Sequence, residues 1–138
     1  MKLPVAAEDL VPHRLPMRLV ESLETVEGND GVATATIRPE CPLLDTQGKL
    51  EDVALIELVA QSYAALKGYI DTCAGLSVRR GFLTGVKNFH STGKVHTGDK
   101  LEIKLKTIAD LDHFAVAQGE IYRDETLMAQ VEVKVWIE

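Results

Sequence analysis

Residues Leu50 to Tyr69, LEDVALIELVAQSYAALKGY, are apolar nearly all the way round, with only Glu57, Gln61 and Ser62 as polar interruptions between Val53 and Leu66. A helix of that pattern has no face suited to water and requires other structure to wrap it. The surrounding chain supplies strands. Met17 to Glu27 reads as a first strand, Gly28-Asn29-Asp30-Gly31 as a tight turn, and Val32 to Arg38 as the return strand. Pro39 to Lys49, with two prolines and Gly48, reads as a loop that feeds the helix.

Beyond the helix, Gly81 to Phe89, the alternating run around Leu101, Ile103 and Leu105, and the segments His113 to Arg123 and Leu127 to Ile137 read as four more strands. Near the N-terminus, Ala6 to Val11 is long enough for one helical turn before Pro12 stops it. With a single helix the alternating βαβ architecture is excluded, and an α+β fold follows: an antiparallel sheet rolled around one long central helix. The length of 138 residues suits one core, so one domain is expected over 1–138.

The formal net charge of −6 would repel nucleic acid. An acidic acyl carrier would likewise need a local basic patch, for which Arg79, Arg80, Lys87 and Lys94 are the nearest candidates. Cys41 and Cys73 stand far apart with no CxxC, and the N-terminus lacks the apolar run of a signal peptide. These features point to the cytoplasm. Glu51, Asp52, Glu57 and Gln61 make the apolar helix a poor membrane span. The histidines show no metal-ligand spacing, and GxSxG and GxGxxG are absent.

Glu57 is the one carboxylate in the middle of the helix. Desolvation there would favour its neutral form, and a carboxylic acid near neutral pKa can protonate a leaving hydroxyl. Gln61, one turn later, could hold Glu57 in place, contact a substrate, or satisfy backbone groups. Phe82 and Phe89 could line an apolar tunnel or simply fill the core. His90 flanks a strand-to-turn segment, and His113 opens a hairpin arm.

Three stretches together resemble the β-hydroxyacyl-acyl-carrier-protein dehydratases of fatty-acid synthesis. Val11-Pro12-His13-Arg14-Leu15-Pro16-Met17-Arg18-Leu19-Val20 is similar to the family's opening LPHRxPxLLVD. Glu57-Leu58-Val59-Ala60-Gln61 is similar to its E-x-M-A-Q, and Gly85-Val86-Lys87 through Thr97-Gly98-Asp99 to its strand and PGD turn. Within that family the chain most resembles the divergent dehydratases of aryl polyene pigment clusters. The resemblance implies a hot-dog fold and a dimer joined edge to edge, with substrate tunnels at the subunit interface. It also implies no metal and no bound cofactor beyond the phosphopantetheine arm of an acyl carrier protein (ACP) or coenzyme A.

The resemblance assigns catalysis to Glu57 and treats His13 as structural. The family's catalytic histidine, in a loop HFPGxP before the helix, has no counterpart, because Pro39 to Ile56 contains no histidine. Asp45, Thr46 and Gln47 occupy that neighbourhood. Gln47, Gln61, Phe82 and Phe89 are the candidate substrate contacts, and His13 and His90 the histidines left to serve as a base.

Three functions follow: a dehydratase with Glu57 as acid, a thioesterase using one helix carboxylate, or a catalytically incomplete subunit that pairs with an active homologue.

Overall fold

The computed structural model describes Met1–Glu138. The elements run β1 (Val5–Ala6), a single 3-10 turn (Ala7–Asp9), β2 (Ser22–Glu27), β3 (Asp30–Thr36), α1 (Asp52–Cys73), β4 (Gly81–Ser91), β5 (Lys100–Leu111), β6 (Phe114–Arg123) and β7 (Thr126–Ile137). All strands form one antiparallel sheet in the order β1-β2-β3-β5-β6-β7-β4. The sheet curls around α1.

Strict alternation decides which side of each strand meets the helix. Ala33 and Ala35 of β3, Leu101, Ile103 and Leu105 of β5, Ala115, Ala117 and Ile121 of β6, and Val131, Val133, Val135 and Ile137 of β7 are all buried. They form one cluster with Leu55, Leu58, Val59 and Leu66 of α1. The inner face of β6 carries small residues, which lets the helix come close. A Cβ added to Gly119 would collide with the Val59 side chain.

Four departures from the sequence expectation have physical causes. The helix begins later and runs one turn further than Leu50 to Tyr69, ending where Gly75 adopts φ 77°. The first strand starts at Ser22 and not Met17, because residues 11–20 form an irregular strap whose backbone bonds to a helix side chain. The two-residue β1, paired Val5 to Leu23, adds a strand that no periodicity announces. Finally, α1 is not wrapped all round: Val53 is 57% exposed, and Glu57, Ala60, Ala64 and Lys67 continue as a half-buried stripe.

That stripe runs beside β4, a sheet-edge strand with only β7 as neighbour. Its eleven residues are exposed or half-buried throughout, including Leu83 and Val86. A long unpaired edge with apolar side chains is a template for another chain.

Gly119→Ala should therefore destabilise the fold by about 1–3 kcal/mol through overpacking against Val59, as read from the urea midpoint. Adding Val59→Ala should recover part of that loss; additive losses would count against the close contact.

Candidate active site

Glu57 stands on the uncovered stripe of α1 with its side chain 35% exposed, so its desolvation in the single chain is less than the sequence pattern implies. Its neighbour is a residue the sequence treats as structural. The strap brings His13 Nε2 to 3.7 Å from Glu57 Oε1, and the two side chains line a cleft of about 60 Å³ with Ala60, Ala64, Leu83 and Val135. His13 Nδ1 is buried without a hydrogen-bond partner, so nothing within the chain fixes the tautomer.

Gln61 builds this arrangement. Its Oε1 accepts from the Leu19 N–H at 2.7 Å and the Val20 N–H at 3.3 Å, and its Nε2 donates to the Met17 carbonyl and to Glu57 Oε1, both at 3.1 Å. The side chain is almost fully buried, and its two donor hydrogens and two acceptor positions are all taken. As a substrate contact it has no capacity left in this state. It ties the strap that carries His13 to the helix that carries Glu57.

The other candidates lie elsewhere. Gln47 is on an exposed turn organised by Asp45, whose Oδ1 accepts from the Gln47 and Lys49 N–H groups at 2.8 and 2.9 Å. Those backbone bonds, Lys49 first, hold the Asp45 carboxyl below its usual range. Phe82 pairs with Trp136, and His90 with Gln130, on the outer face of the sheet. There Phe82 lies under the Arg80 guanidinium, so neither Phe82 nor His90 reaches the cleft. Phe89 faces inward and packs on the core. His113 stacks on Trp136 and bonds through Nδ1 with the Ile137 carbonyl. Lys87 is separated from Arg79 and Arg80 by the β-bulge between Leu83 and Gly85.

Beyond Ala64 and Val135 a smaller pocket continues along the helix to Tyr63, Lys67, Asp71 and Arg79. The buried Asp71 carboxylate is held by Lys67 at 3.4 Å and Arg79 at 3.6 Å. Burial, reinforced by the nearby Asp110 charge, pushes the Tyr63 phenol up to about 12. The largest surface hollow, about 450 Å³, is on another part of the sheet and is lined by Glu21, Glu24, Glu102 and Asp124. Four carboxylates make it unsuited to an anionic ligand. No group of three or more His, Cys, Asp or Glu side chains converges as a metal site, and no helix is long and apolar enough to cross a membrane.

A single helix lying in a rolled antiparallel sheet, with its one mid-helix carboxylate at a cleft, is the arrangement of a hot-dog protein. The family model described as ApeP dehydratase matches residues 5–137, and the chain belongs to the ApeP-like dehydratase family. A 3-hydroxyacyl-[acyl-carrier-protein] dehydratase FabZ from Syntrophotalea carbinolica is 27% identical over 132 residues, covering 91% of this chain and 87% of that protein. Among solved structures, the dehydratase heterocomplex ApeI:P from Xenorhabdus doucetiae superposes with a TM-score of 0.90 at 22% identity, over 100% of this chain and 93% of that one. A hypothetical thioesterase with coenzyme A from Streptococcus pneumoniae shares the fold at a TM-score of 0.65 and 13% identity, over 84% of each chain.

Gln61→Leu should cost about 1–3 kcal/mol, since it strands the buried Leu19 and Val20 amides, and should speed hydrogen exchange at both. An unchanged exchange pattern would show that the strap is held by something else. At alkaline pH the unfolded Tyr63 phenol ionises near 10, while the folded one keeps its proton to about 12. The contribution of this group to stability should therefore be complete below pH 10 and decline above it. In Tyr63→Phe that part of the decline should be missing from urea melts taken between about pH 9 and 11.

Proposed function

We propose that this chain dehydrates a 3-hydroxyacyl thioester carried on a phosphopantetheine arm, with Glu57 as the acid and His13 as the base. The 3.7 Å approach of His13 to Glu57 in one cleft carries the reading, because it provides the base that the loop before the helix lacks. Membership in a dehydratase family and the similarity to a 3-hydroxyacyl-ACP dehydratase support the substrate class.

Elimination needs a proton taken from Cα and a proton given to the departing β-hydroxyl. His13 Nε2 removes the Cα proton, the electron pair forms the Cα–Cβ double bond, and the Cβ–O bond breaks as the protonated Glu57 carboxyl donates to the departing hydroxyl. Water leaves. The imidazolium then faces a carboxylate at 3.7 Å, and its proton crosses to restore neutral histidine and protonated acid. One proton has passed from carbon to water, with no external reductant or oxidant. Gln61 holds the acid oriented throughout by donating to Oε1.

The reading extends to a partner. The unpaired β4 edge and the uncovered stripe from Val53 to Ala64 are adjacent, and both expose apolar side chains, Leu83 and Val86 on the one and Val53 on the other. A second hot-dog chain adding its own β4 there would cover the stripe and close the cleft into a tunnel. The heterocomplex formed by the structurally similar dehydratases favours a homologous partner as well as a second copy of this chain.

Purified protein offered a 3-hydroxyacyl thioester should produce the absorbance of the trans-2-enoyl product. His13→Asn and Glu57→Gln should each lower kcat by about 10²–10⁴-fold with KM little changed. Release of free thiol without enoyl product would instead identify a thioesterase. Turnover seen only after a homologous dehydratase is added would identify a partner-dependent subunit. Wild-type rates in both variants would remove His13 and Glu57 from the chemistry.

A further inference from the structure

Although the chain is acidic overall, one groove gathers guanidinium groups. It measures about 260 Å³, has Pro12 and Val78 among its apolar walls, and carries Arg14, Arg79 and Arg80. Pro12 and Arg14 flank His13 in the chain, and Arg80 precedes Gly81, which itself lines the catalytic cleft. The two linings share no residue, but they are contiguous in the chain on both walls.

The three arginines are not equivalent. Arg79 is committed inward, paired with Asp71 at 3.6 Å and donating to the Asp112 carbonyl at 2.9 Å. Arg14 donates through Nη1 to the Val11 and His13 carbonyls, both at 2.8 Å, and Arg80 lies 5.3 Å over the Phe82 ring. Neither Arg14 nor Arg80 belongs to any ion pair. Of the two acids on the groove wall, Glu8 faces Arg18 at 3.7 Å, which leaves Asp9 as the single opposing charge. Two guanidiniums outside any ion pair, against the single carboxylate of Asp9, make the groove locally positive in a chain of net charge −6.

We propose that this groove binds the phosphate of the arm that presents the thioester, with Arg14 and Arg80 as its ligands. The proposal rests on the dehydratase reading for the identity of the arm. Guanidinium matches phosphate through paired charge-assisted hydrogen bonds, and Arg14 also braces the backbone of His13, so phosphate capture and base placement share one residue. The phosphate could come from coenzyme A or from the prosthetic arm of a carrier protein.

The test offers one 3-hydroxyacyl group on coenzyme A, on a carrier protein, and on N-acetylcysteamine, which has no phosphate. Arg80→Gln, which touches no backbone near His13, should raise KM about tenfold for the phosphate-bearing thioesters and leave the truncated one unchanged. Asp9→Asn should lower KM for the same substrates. Loss on both phosphate-bearing thioesters, or on the coenzyme A thioester alone, supports the phosphate site and identifies its source. Equal loss on all three, loss confined to the carrier protein, or no loss at all would overturn it.

If the wild type turns over none of them, alone or with a homologous dehydratase added, the dehydratase reading fails, and calorimetry still decides the groove. Phosphopantetheine should then bind wild type about tenfold more tightly than Arg14→Gln/Arg80→Gln, with pantetheine showing no difference.

Discussion

The close approach of α1 to the inner face of the sheet is the contact on which the rest of this molecule depends. Ala115, Ala117 and Gly119 leave room on β6, and Val59 takes it up. Packing at that distance fixes the rotation of the helix about its own axis, and the rotation decides which residues the sheet covers. Leu55, Leu58, Val59, Ser62 and Leu66 turn inward. Glu57 and the small residues Ala60 and Ala64 turn to the open side, beside the sheet edge.

The open side is where the fold departs from a closed core, and the proposed site lies there. A carboxylate sealed beneath the sheet could meet no substrate, whereas one on a bare surface would lose the low-dielectric setting that acid catalysis uses. The strap from Val11 to Val20 supplies the intermediate condition. It covers Glu57 on one side, contributes His13, and is held by the amide of Gln61 in place of strand pairing. A residue that reads as one more polar interruption of an apolar helix is thus the joint between the strap and the helix that carry the two halves of the proposed site.

Residues whose roles follow from local periodicity were legible. The alternation in β5 and β7 and the turn at Gly28-Asn29 follow from short stretches of chain. Phe82 and His90 were not, because which face of β4 meets the helix is decided by its pairing with β7, where Phe82 falls beside Trp136 and His90 beside Gln130. The position of Gln47 followed the resemblance, but this chain uses its loop for an Asp45-centred turn.

The sequence by itself determined the single helix, the antiparallel strands around it and Glu57 as the carboxylate in their midst, because each is written in a repeat of two or about four residues. Family membership was readable for the same reason, from motifs that are contiguous in the chain. Only the tertiary structure decided that His13, forty-four positions earlier, is the partner of that carboxylate. An irregular segment has no period to read, and its path is set by where its backbone finds hydrogen bonds, here on the side chain of Gln61.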